Sequence, residues 1–189
     1  MNKASEQAGG GRRGKDTLTP KGLVNFEALF DAVYPSLFRY CNRLTGDPDQ
    51  AEDLAQEAFF RLLDRGVKGT EESLRSWLFM VATNLVRDRS RTRETRKRII
   101  SAFPPPVPEV GPEVDLDRAE AIERVRNALE VLSERDREML LLRQEGFSYR
   151  EIAEVARVSH RSVGTILARA LQKFAAELSN EEKGNGTSR

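Results

Sequence analysis

Five of the chain's eight prolines fall inside one short stretch, "FPPPVPEVGPEVD" at 103–115. Proline has no amide hydrogen to donate and a fixed φ, so neither a helix nor a strand ladder passes through such a run. The chain must therefore fold as two units joined by a Pro-rich, acidic linker at 100–117. With 189 residues, 39% of them hydrophobic, there is enough apolar material for two small cores. Residues 1–22, rich in Gly, Lys and Arg, cannot repay the entropy of ordering and are expected to form a flexible basic arm. Residues 180–189 read as a polar tail.

On the N-terminal side of the linker, apolar residues recur at three- and four-residue steps. Phe26, Leu29, Phe30, Val33, Leu37, Tyr40, Cys41 and Leu44 mark one amphipathic helix, which Pro35 interrupts. After the turn "TGDPDQ", Ala51, Leu54, Ala55, Ala58, Phe59, Leu62 and Leu63 mark a second. Leu74, Trp77, Leu78, Val81, Ala82 and Leu85 mark a third, following a Gly-containing loop at 65–73. Three helices with facing stripes make a small bundle. On the C-terminal side, Ile122, Val125, Leu129 and Leu132 form another stripe, and "SERDREMLLLRQEG" opens on a capping Ser133 and closes at Gly146. No segment alternates as a strand does. The expected fold is all-α, in two small helical domains.

The stretch "SYREIAEVARVSHRSVGTILARA", 148–170, reads as two short helices around a bend. Ser148 and Glu151 form a capping box, and Ser159 caps the second helix. Ile152, Ala153, Ala156, Val163, Ile166, Leu167 and Ala170 face inward, which leaves His160, Arg161, Ser162, Thr165 and Arg169 outward. A polar set at the start of a second helix is how a helix-turn-helix presents side chains to base edges, although an ordinary antiparallel helix pair has the same apolar pattern.

Two further charge patterns stand out. In "DPDQAEDLAQEAFFRLLD" six acids face one base, and Asp49, Glu52, Asp53, Gln56 and Phe60 fall outside the apolar stripe. Carboxylates beside an exposed aromatic suit a basic protein partner and repel DNA; a merely solvated face is the alternative. The run "RDRSRTRETRKR" at 87–98 holds seven bases and two acids, a phosphate-binding pattern, with Phe79, Thr83 and Asn84 placed on the outer side just upstream. A solvated helix end would look the same. The formal net charge is only +1, so any contact with nucleic acid must come from local patches.

Catalytic chemistry finds little to work with. There is one His and one Cys, no Gly-rich phosphate loop after a strand and no metal-ligand spacing, so neither enzyme, metal nor cofactor is expected. Cys41 lies on an apolar stripe and reads as a buried thiol in a reducing compartment. No stretch approaches the roughly 20 apolar residues of a membrane span, and the N-terminus lacks the apolar core of a signal peptide; the cytoplasm is the expected location.

Taken together, "LTGDPDQAEDLAQEAFFRL", "LRSWLFMVATNLVRDRSR" and "LSERDREMLLLRQEGFSYREIAEVARVS" resemble the two characteristic blocks of extracytoplasmic-function (ECF) sigma factors of the sigma-70 family, in their usual order, over residues 23–178. The resemblance implies a region-two three-helix bundle at 23–99 and a region-four helix-turn-helix, of winged-helix-like class, at 118–179. It implies a factor that binds core RNA polymerase, directs it to promoters and melts the minus-ten element. Asp49, Glu52, Asp53, Gln56, Glu57 and Phe60 would dock on the beta-prime clamp helices. Lys68, Phe79, Thr83, Asn84, Arg87, Arg89 and Arg91 would hold the minus-ten strand, with a base extruded into a loop pocket. His160, Arg161, Ser162, Thr165 and Arg169 would read the minus-35 duplex.

The same resemblance implies contact with the beta flap, an anti-sigma partner and a monomer when free. Trp77 matches the family's aromatic but belongs to the core stripe. The linker acids Glu109, Glu113, Asp115 and Asp117 would thread toward the active centre, or simply space the domains. Gly164 and Ile166 stand where many members carry basic residues, which implies either a weaker minus-35 reading or an unusual minus-35 sequence read with the help of His160 and Arg161. A stand-alone helix-turn-helix regulator is the rival reading; it needs only the back half and leaves Phe60 and the two charged faces unexplained.

Overall fold

The computed structural model describes residues 17–19, 22–99 and 116–185, with side chains over 25–91 and 121–180. Residues 100–115 of the linker read at 100–117, most of the N-terminal arm and residues 186–189 lie outside the described residues, while Leu116 and Asp117 begin a helix. Seven helices carry the fold: α1 (Phe26–Thr45), α2 (Pro48–Asp64), α3 (Glu71–Ile99), α4 (Leu116–Glu130), α5 (Glu134–Gln144), α6 (Tyr149–Ala156) and α7 (His160–Asn185). The first three pack on one another as a bundle. In the second unit α7 packs against α4, α5 and α6.

Local chemistry sets most of these boundaries. Asn25 and Asp47 cap α1 and α2 with side-chain oxygens that accept two backbone N–H groups each, and Pro48 occupies the first turn of α2, where its missing donor costs nothing. Gly46, at φ +69°, closes α1 in the left-handed conformation that glycine adopts without steric penalty. Pro35 does not break α1; the helix runs on through it, with the ring on the exposed side. Ser148 and Glu151 form the capping box reciprocally. The bend between α6 and α7 turns on Arg157, a non-glycine residue at φ 56° whose N–H donates to the Ala153 carbonyl.

Four expectations are corrected. Thr17–Thr19 and Gly22–Val24 pair as antiparallel strands β1 and β2, with Leu18 opposite Leu23, across the end of the segment read as an arm. Strands of three residues are too short for alternation to register in a sequence. On α4, Ile122 and Val125 remain 51% and 44% exposed, because burial on that helix begins with Ala128 and Leu132. Finally, α7 continues as helix into residues read as tail. The two units are also not separate bodies: one run of buried side chains extends from Leu29 and Leu78 through Phe79 to Phe147, Ile152 and Leu167.

Candidate nucleic-acid and polymerase interface

The acidic side of α2 stands open. Asp49, Glu52, Asp53 and Gln56 are exposed, and Phe60 keeps 63% of its surface in water although Phe59 beside it is buried. Glu57, half-buried, accepts from Arg61 Nε at 2.7 Å, and Gln56 donates to Glu52 at 2.9 Å. Asp53, Gln56, Glu57, Phe60 and Arg61 line a shallow depression with Leu85 and Arg89 of α3, and Arg89 approaches Asp53 to 3.8 Å. An apolar ring framed by carboxylates is chemically fitted to a basic, partly apolar protein surface.

The face of α3 is different. Phe79 and Thr83, placed on the outer side by the sequence reading, are fully buried. Thr83 shares a 2.8 Å hydrogen bond with the Tyr40 hydroxyl and donates to the Phe79 carbonyl, while the Phe79 ring lies 4.7 Å from that of Phe147 and 5.2 Å from that of Tyr40. Burial raises the Tyr40 hydroxyl well above its ordinary range and pushes the Cys41 thiol up to about 12, so both stay protonated as core groups. The cause of the discrepancy is that α3 is covered twice, by α1 and α2 on one side and by α6 and its neighbours on the other.

Arg87 is half-buried and engaged. Its Nε donates to Glu138 at 2.8 Å, its Nη2 donates to the other oxygen of the same carboxylate, and it reaches the Ala156 carbonyl at 3.4 Å. The hydrogen bond to Glu138 raises its pKa further. Arg75, which the sequence reading did not single out, lies with its guanidinium 4.0 Å from the Phe147 ring centroid and donates to the Glu145 carbonyl. Of the remaining expected minus-ten residues, Asn84 is half-buried, and Lys68, Arg89 and Arg91 are exposed.

On α7, His160, Arg161 and Thr165 are exposed, and Ser162 is half-buried. Behind them Val163, Leu167 and Ala170 are buried, and a Cβ at Gly164 would meet the Tyr149 ring at an ordinary contact distance of 3.5 Å. Arg169 is exposed but donates to Asp136 at 3.1 Å, with Lys173 3.7 Å from the other oxygen of that buried carboxylate. The sequence signal for Asp136 and Glu138 was present: two acids on the buried side of a helix whose neighbours are Met139, Leu141 and Leu142 require cationic partners. Among the described residues no group of three or more His, Cys, Asp or Glu could hold a metal ion, and no helix is long and apolar enough to cross a membrane.

The arrangement is that of a two-domain helical protein with one open acidic face around Phe60, one basic helix and one helix-turn-helix. Family models for Sigma-70 region 2 and Sigma-70, region 4 match residues 29–96 and 122–174. The ECF RNA polymerase sigma factor EcfG of Rhodopseudomonas palustris is 32% identical over 153 residues, covering 78% of this chain and 81% of that protein. The ferric citrate uptake sigma factor FecI of Escherichia coli is 28% identical over 160 residues, covering 83% and 92%. The match to the ECF sigma factor SigL of Mycobacterium tuberculosis, 38% identical over 84 residues, takes in 43% of this chain and 48% of that protein; the chain spans about half the length of that relative.

Two solved structures share the fold. A co-crystal structure of the sigma factor RpoE in complex with the anti-sigma factor NepR from Bartonella quintana superposes with a TM-score of 0.68 at 23% identity, covering 82% of this chain and 96% of that one. The structure of CnrH in complex with the cytosolic domain of CnrY gives 0.62 at 22%, covering 82% and 88%. The chain belongs to the ECF sigma factors of the sigma-70 family, with that family's regions two and four. Members of the family are transcription initiation factors and not enzymes.

Proposed function

We propose that this chain binds core RNA polymerase through the exposed face of α2, directs it to promoters and opens the minus-ten element. The single observation that carries the docking claim is Phe60, a large apolar ring left in water among Asp49, Glu52, Asp53, Gln56 and Glu57 on a helix whose other face is fully packed. The clamp helices of the beta-prime subunit are the partner, and the beta flap takes region four. Lys68, Asn84, Arg87, Arg89 and Arg91 hold the melted strand. Phe79 and Thr83 set the position of α3 from inside. His160, Arg161, Ser162, Thr165 and Arg169 face the minus-35 duplex, with few guanidinium groups for it, so placement depends on polymerase.

The anti-sigma complexes of the two structural neighbours support an anti-sigma partner for this chain too, met in the cytoplasm where polymerase works. Run-off transcription with purified core polymerase on DNA from upstream of its own gene tests the proposal. A discrete transcript that requires both components is expected; its absence, together with no co-elution of chain and core, would refute it.

A further inference from the structure

Arg161, Thr165, Arg169 and Lys173 stand at four-residue steps along α7 and are all exposed, so they form one ridge running from the start of that helix to two cations. The two cations share a carboxylate. Arg169 Nη2 donates to Asp136 Oδ1 at 3.1 Å, and Lys173 Nζ lies 3.7 Å from Asp136 Oδ2. The Arg169 and Lys173 side chains keep 59% and 50% of their surface in water, whereas that of Asp136 is 2% exposed. The anion thus lies beneath the ridge, in the first turn of α5, and the cations stand on its outer side.

A buried carboxylate is costly to desolvate, and a single cation is enough to pair it. With two, the cluster carries a net positive charge, and its exposed members are the positive ones. Long cationic side chains on a surface sample many rotamers, and fixing them against a phosphate costs entropy. Asp136 removes part of that cost in advance. It fixes the Arg169 guanidinium through Nη2, leaving the Nε and Nη1 hydrogens for a second acceptor, and it holds the Lys173 ammonium one turn further along the same ridge. A duplex strand running along the flank of α7 offers phosphate oxygens at regular intervals. We propose that Asp136 is a positioning residue for DNA binding, which presents Arg169 and Lys173 together to the phosphate backbone of the duplex that α7 reads. This assignment rests on the reading of α7 as the minus-35 helix. It adds Lys173 to the residues that touch DNA and gives Asp136, which touches none, a part in the same contact.

The test is a fluorescence-anisotropy titration of the full chain against a fluorescein-labelled, mixed-sequence duplex of about 20 base pairs, two helical turns, at several salt concentrations. Phosphate contacts are independent of sequence, and each contributes about 0.9 to the salt slope. Charge alone predicts that Asp136→Asn, which deletes a negative group beside the contact, tightens binding. Positioning predicts the opposite, binding weaker by about threefold to tenfold with a salt slope lower by about 1. Lys173→Ala should lower the slope by about 1 as well. Asp136→Asn added to Arg169→Ala with Lys173→Ala should bring no further weakening, since the groups it positions are gone. Unchanged or tighter binding by an Asp136→Asn chain with wild-type helix content by circular dichroism would overturn the proposal. If that variant does not fold, Lys173→Ala decides, because it removes only an exposed side chain; an unchanged slope there overturns the proposal equally. Arg161→Ala with Thr165→Ala scores the reading of α7 on the same duplex. Weakening by that pair with none from Asp136→Asn removes the positioning role alone, whereas binding unmoved by every α7 substitution refutes the reading and the positioning role with it.

Discussion

The acidic face of α2 and the basic helix α3 are both highly charged in sequence, yet the first stands open while the second is partly covered, with Arg75 and Arg87 engaged and Arg89 and Arg91 exposed. On α2 the carboxylates meet water, and Phe60 stays exposed at 63%. On α3 Arg87 meets the Glu138 carboxylate, contributed by a helix 51 residues further along the chain, and Phe79 is fully buried. The difference teaches that periodicity places a charged residue on a helix face, whereas occupancy of that face is decided by whatever tertiary partner carries the opposite sign.

The largest effect should come from removing the buried ring. Phe79→Ala is expected to lower stability by about 3 to 5 kcal/mol, the cost of emptying a packed aromatic site, in thermal or denaturant unfolding. A change within about 0.5 kcal/mol, as for a surface position, would restore Phe79 to the outside and break the comparison. Next in size, Asp53→Arg should weaken binding to core polymerase by about 2 kcal/mol or more while leaving the fold intact, since a reversed charge faces a basic partner. Equal core affinity in the variant would remove α2 from the docking surface.

Arg169→Ala should cost about 1 to 3 kcal/mol of discrimination between promoter and scrambled upstream DNA in the polymerase complex. Unaltered discrimination would mean that Arg169 serves only Asp136. The smallest effect is a pH dependence. Hydrogen bonds from the Ser148 hydroxyl and N–H hold the Glu151 carboxyl below the usual range. Because the folded value is the lower one, this capping box stabilises above the unfolded glutamate range of about 4 to 4.5 and loses its contribution as pH falls through the folded value. The melting-temperature difference between wild type and Glu151→Gln, equivalent to about 1 kcal/mol at pH 7, should therefore shrink as pH is lowered below the unfolded glutamate range. A difference that persists at low pH would assign the stabilisation to packing.

How much of this was legible in the sequence follows from distance along the chain. The helices, the Asp47-Pro48 start of α2 and the Ser148–Glu151 box could be read because each depends on residues within one turn. The family could be read because its motifs are long and lie in order. Phe79 and Thr83 were misplaced because an amphipathic reading assumes one buried face, and α3 has two; Thr83 finds its partner, Tyr40, 43 residues away. Glu138 and Asp136 were visible as acids on an apolar stripe, but nothing local names Arg87 or Arg169 as their partners. Ile122 and Val125 fit a helical stripe and still face water, since a stripe is buried only where another helix lies over it.

The most direct test of the central claim is a fluorescence-anisotropy titration of a promoter fragment from upstream of the gene, with the chain alone and with the chain plus core polymerase. Sequence-specific binding is expected only when polymerase is present, with the chain alone binding weakly and losing what affinity it has as salt is raised. Tight, sequence-specific binding by the chain alone, unchanged by polymerase, would contradict it and identify a stand-alone helix-turn-helix regulator.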